Sequence, residues 1–181
     1  MALCSPIWGT FIHVPKCGGT WIRHMLKAMD KNAWEDGFPH SLPIAFDDCW
    51  AVVRDPVDWH RSAYAQRVKD KWVRYGKILP WREYCNMIGK CTWQQYLYRI
   101  THDLQGLCHW LFTSYTPPAV KVYRLEDTIY DKLREVGVDL DEKISDNQRN
   151  VTPDCYKYTI PDDVAEQIRE YERGVYERWY P

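Results

Sequence analysis

Apolar residues in this chain gather into short runs broken by glycine, proline and charge. The run from Ile7 to Val14 is bounded by Pro15 and predicts a buried strand. Ile22, Met25, Leu26 and Met29 follow at helical spacing and predict a helix from Thr20 to about Met29. Residues 30–47, with Gly37, Pro39 and Pro43, read as a loop-rich connection. A second strand is expected over Trp50–Arg54, then a helix from Pro56 to about Tyr75 that breaks at Gly76 and Pro80. Helical segments are expected over 81–87, 92–100 and 104–113, a short strand over Val120–Arg124, and a helix from Glu126 to Val136 closed by Gly137. The last helix is expected from Pro161 to Trp179. Pro161 would sit at its first position, Asp162 and Asp163 would complement its dipole, and Val164, Ile168, Tyr171 and Val175 would form one face. Strands alternating with helices predict an α/β fold: one domain over 1–181, a parallel sheet flanked by helices. Ligands in such sheets bind beyond the carboxyl ends of the strands.

Composition narrows the functional classes. The 24 Lys and Arg residues nearly cancel the 25 Asp and Glu, which argues against bulk binding to nucleic acid. Ten Trp and 13 Tyr suit a core rich in large rings, and also sites for sugar or purine. Residues 1–15 lack a basic region followed by a long apolar one, and no run of about 18 apolar residues occurs anywhere. The expectation is therefore no membrane partner and a cytoplasmic protein, of bacterial or viral source. The seven cysteines contain no CxxC pair. A Cys85–Cys91 disulfide is conceivable, but reduced thiols are expected. Cys85, Cys91, His102, Cys108 and His109 match no common zinc spacing, so no metal is expected.

The chemistry concentrates in Phe11-Ile-His-Val-Pro-Lys-Cys-Gly-Gly-Thr20. Two adjacent glycines let backbone N–H groups crowd around an anion, the new helix adds its positive end, and Lys16 adds a full charge. This is a phosphate-type cradle, which makes the expected parallel sheet P-loop-like, but without the Walker order, because Lys16 precedes the glycines. A second segment, Cys49-Trp-Ala-Val-Val-Arg-Asp-Pro56, reads as a buried strand ending in Arg54, with Asp55 as helix cap and Pro56 as the first helical residue. Arg54 at the strand end and Ser62 in the following helix suit a second phosphate.

In these two segments the chain resembles the sulfotransferases that use 3′-phosphoadenosine 5′-phosphosulfate (PAPS), especially their carbohydrate branch. The family's 5′-phosphosulfate loop, PKxGGT, is matched by Pro15, Lys16, Gly18, Gly19 and Thr20. Its 3′-phosphate motif, RDPxxRxxSxY, is matched by Arg54, Asp55, Pro56, Ser62 and Tyr64. The resemblance implies PAPS as donor substrate, no required metal, and sulfuryl transfer to an acceptor hydroxyl of a carbohydrate. It implies donor contacts from Lys16, Cys17, Gly18, Gly19, Thr20, Arg54 and Ser62, with no separate role for the Cys17 side chain. Lys16 is expected to act on the leaving oxygen. Trp59 departs from the family, which has arginine there; Arg61 lies about 200° around the helix and cannot replace it. Another cation, or packing of Trp59 on the adenosine, would then have to serve.

For the base, the resemblance implies His40, in the interval between the two motifs, with Glu35 and then Asp36 as rivals because some relatives use glutamate there. His13 reads as structural. Tyr123-Arg-Leu-Glu-Asp127 resembles a family segment that caps a helix and forms ion pairs, and Arg149 and Asn150 fall where relatives bring polar residues to the donor. The basic run from Arg67 to Lys77 reads as a solvated helix face or a receiver for an anionic glycan. Two alternatives stand beside sulfuryl transfer. One is a P-loop-like nucleotide kinase or NTPase. The other is a non-catalytic module that binds 3′,5′-phosphoadenosine.

Overall fold

In the computed structural model, which describes residues 2–36, 48–70, 91–138 and 158–181, the first apolar stretch folds back on itself. Strand β1 (Ala2–Ser5) turns through Pro6-Ile7-Trp8 into β2 (Gly9–Ile12), and the two pair antiparallel with Ala2 opposite Ile12. The expected single strand from Ile7 to Val14 is thus the second arm of a hairpin. Ser5 fixes the turn: its Oγ accepts the Ile7 N–H at 3.1 Å and donates to Asp30 at 2.6 Å. A further strand, β3 (Trp34–Asp36), lies within the stretch read as loop and pairs antiparallel with β1. Residues 37–47 lie outside the described residues.

β4 (Cys49–Val53) and β5 (Lys121–Arg124) complete a five-stranded sheet in the order β3-β1-β2-β4-β5. The pairs β2–β4 and β4–β5 are parallel, with Ile12 opposite Ala51 and Val53 opposite Arg124. The sheet is therefore mixed rather than parallel throughout, because the Pro6 turn reverses β1. Its parallel half leads into the Pro15–Thr20 segment after β2 and into Arg54-Asp55 after β4. Every residue of β4 is buried, as befits a central strand.

By its contacts the chain divides into two compact units, Met1–Asp55 with Leu111–Val151, and Pro56–Trp110 with Thr152–Pro181. The first holds the sheet with α1 (Gly19–Met29) and α5 (Thr128–Glu135). Ile22, Met25 and Leu26 of α1 and Ile129 and Leu133 of α5 join Leu3, Phe11, Trp50, Val52 and Tyr123 in one buried cluster. Trp50 is its centre. Its ring lies 4.7 Å from Phe11 and edge-on to Tyr123 at 6.0 Å, and its Nε1–H donates to the Trp8 carbonyl at 2.9 Å. Each such large side chain contributes about 1.5–3 kcal/mol when fully buried.

The second unit is helical: α2 (Pro56–Asp70), α3 (Trp93–His102), α6 (Asp162–Tyr171) and α7 (Arg173–Trp179). The helix α4 (Leu107–Tyr115) begins in this unit and ends in the first. Thr92 and Gln95 form a reciprocal capping box that starts α3. Tyr64, Trp93, Tyr96 and Tyr158 pack ring to ring, and the Tyr64 hydroxyl donates to the Cys91 carbonyl at 3.1 Å. The long final helix expected from the pattern is two helices, with Pro161 before the first turn and Glu172 at the break. No helix among the described residues is long and apolar enough to cross a membrane.

Candidate functional site

Strand β2 ends at Ile12, and the chain reaches the first turn of α1 through His13, Val14, Pro15, Lys16, Cys17 and Gly18. Lys16 has φ 65° and Gly18 has φ 73°, both left-handed, while Cys17 between them has negative φ. Alternation of this kind curls successive N–H groups into a concave, anion-favouring turn. A left-handed lysine is costly by about 1 kcal/mol, so the local fold must hold it there.

The two glycines are required for different reasons. Gly18 caps α1 in the left-handed region, and a Cβ there would meet Leu125 Cδ1 at 2.6 Å. Gly19 has ordinary backbone, but a Cβ would meet the His13 ring at 2.0 Å. His13 is buried against the helix start, in keeping with its structural reading. The cap supplies no side-chain hydrogen bond, and the first turn of this 11-residue helix carries no acidic residue. The leading N–H groups of α1, beginning at Gly19 and Thr20, therefore point out of the helix with a positive end unneutralised by its own sequence. Thr20 is exposed beside them.

Arg54 follows the end of β4, the parallel neighbour of β2, and is half-buried. Next to it the Asp55 N–H donates to Glu126 Oε1 at 2.8 Å, and the Leu125 N–H donates to the Val53 carbonyl at 2.9 Å. These bonds fasten the β4 end to the loop after β5. Arg124 pairs with Asp127 at 2.6 Å, and Asp127 also accepts the Thr128 N–H as the cap of α5. The capping and ion-pair reading of this segment holds.

Cys17 reports the electrostatics from inside. Burial pushes its thiol far above the ordinary range; the positive charges of Arg54 and Lys16 pull the other way and Glu126 reinforces burial. The thiol is neutral and its S–H donates to the Pro15 carbonyl at 3.5 Å. The Cys17 N–H donates to the Val14 carbonyl at 3.4 Å, within the turn itself.

The structure thus gathers Lys16, Cys17, Gly18, Gly19, Thr20 and Arg54 at the carboxyl ends of β2 and β4. Ser62 lies half-buried on α2, in the second unit. His40, Arg149 and Asn150 lie outside the described residues, as does Cys85 of the conceivable disulfide. The side chains of Arg67 and Lys69 and the residues from Lys71 to Lys77 in the basic run do too. Trp59 is fully buried and meets His60 edge-on at 5.2 Å, so it does not stack on adenosine. Glu35, the rival base, stands on β3 and accepts from both Arg23 and Lys27. The Lys27 hydrogen bond, then the two positive charges, hold its carboxyl below the usual range despite some burial. The partnership of His13 with Gly19 and the Glu126 bond to Asp55 were not foreseen. Only the His-x5-Gly spacing across a strand–turn–helix signalled the first.

No family model matches the chain, and neither a curated protein nor a solved structure matches it.

Proposed function

We propose that the protein is a sulfotransferase that moves a sulfuryl group from PAPS to an acceptor hydroxyl, of a carbohydrate by its resemblance. The observation that carries this reading is the pairing of two cationic strand ends. The Lys16–Gly19 turn and Arg54 follow adjacent parallel strands, β2 and β4, of which one ends in an anion-favouring helix start. A donor with phosphates at both its 5′ and 3′ positions needs two such anchors, one for each.

In this reading Gly18, Gly19 and Thr20 bind the 5′-phosphosulfate through backbone N–H groups and the Thr20 hydroxyl. Arg54 takes the 3′-phosphate. Ser62 and Arg149 enter the proposal from their motif positions alone. In the transfer, the acceptor oxygen forms a bond to sulfur as the sulfur–oxygen bond to the 5′-phosphate breaks, and the electron pair stays on the phosphate oxygen. Lys16 stabilises that growing charge. The acceptor's proton goes to His40. Assigning it there is favoured by the state of Glu35, whose two cationic partners stabilise its ionised form and make it a weaker base.

The test is turnover. PAPS labelled in its sulfuryl group, incubated with a panel of glycans, should yield labelled glycan and 3′,5′-phosphoadenosine in equal amounts. Hydrolysis of ATP dependent on Mg²⁺, without sulfuryl transfer, would replace this reading with a kinase or NTPase. Tight binding of 3′,5′-phosphoadenosine with no transfer to any acceptor would replace it with a binding module.

A further inference from the structure

The helical unit buries a second group of reactive side chains, far apart in sequence and absent from the mechanism above. His60 on α2, Cys108 on α4 and Glu172 at the α6–α7 break are exposed by 1%, 0% and 1%, and one potential ligand atom from each lies within 4.8 Å of the others. Among the described residues this is the group whose geometry suits a metal ion. It shares only Cys108 with the cysteines and histidines that the sequence offered for zinc.

We propose that His60, Cys108 and Glu172 form a three-ligand zinc site. Three features carry the inference. The first is spacing: His60 Nε2 lies 3.7 Å from Cys108 Sγ. Zinc bonds of about 2.3 Å to sulfur and 2.0–2.1 Å to nitrogen, opened to a tetrahedral angle, separate those atoms by about 3.6 Å. The second is orientation. His60 Nδ1 lies 2.9 Å from the Tyr96 hydroxyl, which itself donates to the His60 carbonyl at 3.3 Å. That bond assigns the ring proton to Nδ1 and leaves the Nε2 lone pair directed toward Cys108, the outer-shell arrangement that metal-bound histidines use.

The third feature is charge. Glu172 is a buried carboxylate whose oxygens accept the N–H groups of Cys108 at 2.9 Å and His109 at 2.8 Å, and it also accepts a hydrogen bond from the Cys108 side chain. Once the Cys108 thiol gives up its proton, each oxygen has a second lone pair to offer a metal. A thiolate, a carboxylate and a neutral imidazole around Zn²⁺ sum to zero charge, which removes the penalty of an uncompensated buried ion. Loading releases the Cys108 thiol proton to solvent, and a water completes the fourth position. The ion would tie α2, the start of α4 and the α6–α7 break together and so raise the stability of the helical unit.

The full-length protein, stripped with chelator and titrated with cobalt(II) as a zinc surrogate, should develop a stoichiometric thiolate-to-cobalt charge-transfer absorption that zinc abolishes. Its unfolding temperature should rise with zinc. Cys108→Ser should lose both responses, whereas Cys91→Ser should keep them. Should Cys108→Ser fail to fold, thiol alkylation of the wild-type chain decides the matter, since zinc should slow modification at Cys108 specifically. No thiolate absorption in the wild-type protein, or metal protection mapping to another cysteine, would overturn the site and leave a buried hydrogen-bond network.

Discussion

Gly19 and His13 approach so closely that a methyl group on Gly19 would lie 2.0 Å from the His13 ring. The helix that opens the proposed cradle can start where it does only because this residue has no side chain. Gly19→Ala should therefore destabilise the protein by about 1–3 kcal/mol, the usual cost of overpacking a buried contact. Denaturant unfolding of Gly19→Ala, His13→Ala and the double variant checks the cause. The double variant should recover part of the loss, and strict additivity of the two single changes would place the strain elsewhere.

Lys16 joins a left-handed backbone to the charge proposed to act in catalysis, and the two can be separated. Lys16→Gly should be more stable than Lys16→Ala by about 1 kcal/mol, because only glycine adopts φ 65° without cost. Both variants should lose turnover far more than affinity for 3′,5′-phosphoadenosine, since the amine's main partner is charge that develops in the transition state. Unchanged kcat in either would remove Lys16 from the reaction.

Trp59 occupies the family's arginine position in sequence, but in space it belongs to the core. Trp59→Arg should not improve donor binding. It should instead destabilise the chain by about 3–5 kcal/mol through lost packing and an unpaired buried charge. A stable Trp59→Arg protein with tighter donor binding would contradict this placement.

Glu35 gives a pH signature. Its carboxyl is held below its ordinary value of 4.5, chiefly by Lys27 and Arg23, so its contribution is present above that value and is lost as pH falls through the lower folded one. The pair is partly exposed, which limits the effect to about 1 kcal/mol or less and makes it sensitive to salt. Glu35→Gln should lower stability slightly at neutral pH, match the parent in strong acid, and leave most of the activity. His40→Ala should lose roughly 10²–10⁴-fold in rate while keeping donor affinity. The reverse ranking in an activity assay would move the base to Glu35.

Local patterns in the sequence were informative where local chemistry decides the structure. The turn before α1, the β4 strand leading into Arg54, Pro56 opening α2 and the Asp127 cap all follow from residues within a few positions of one another. The N-terminal hairpin was not legible, because Ala2-Leu3-Cys4 is too short to show alternation and Pro6 reads equally as a boundary. β3 was hidden for a related reason: three residues, two of them acidic, at a sheet edge carry little apolar signal. The break at Glu172 and the grouping of His60, Cys108 and Glu172 depend on contacts across more than 40 residues, which spacing cannot reveal.

Calorimetry with 3′,5′-phosphoadenosine and AMP tests the sulfotransferase proposal most directly, because the ligands differ only in the phosphate assigned to Arg54. A charge-assisted hydrogen bond is worth about 1.5–3 kcal/mol, so 3′,5′-phosphoadenosine should bind roughly ten- to a hundredfold more tightly than AMP. Arg54→Ala should erase most of that difference. Equal affinity for the two nucleotides in the wild-type protein would contradict the assignment of a PAPS site.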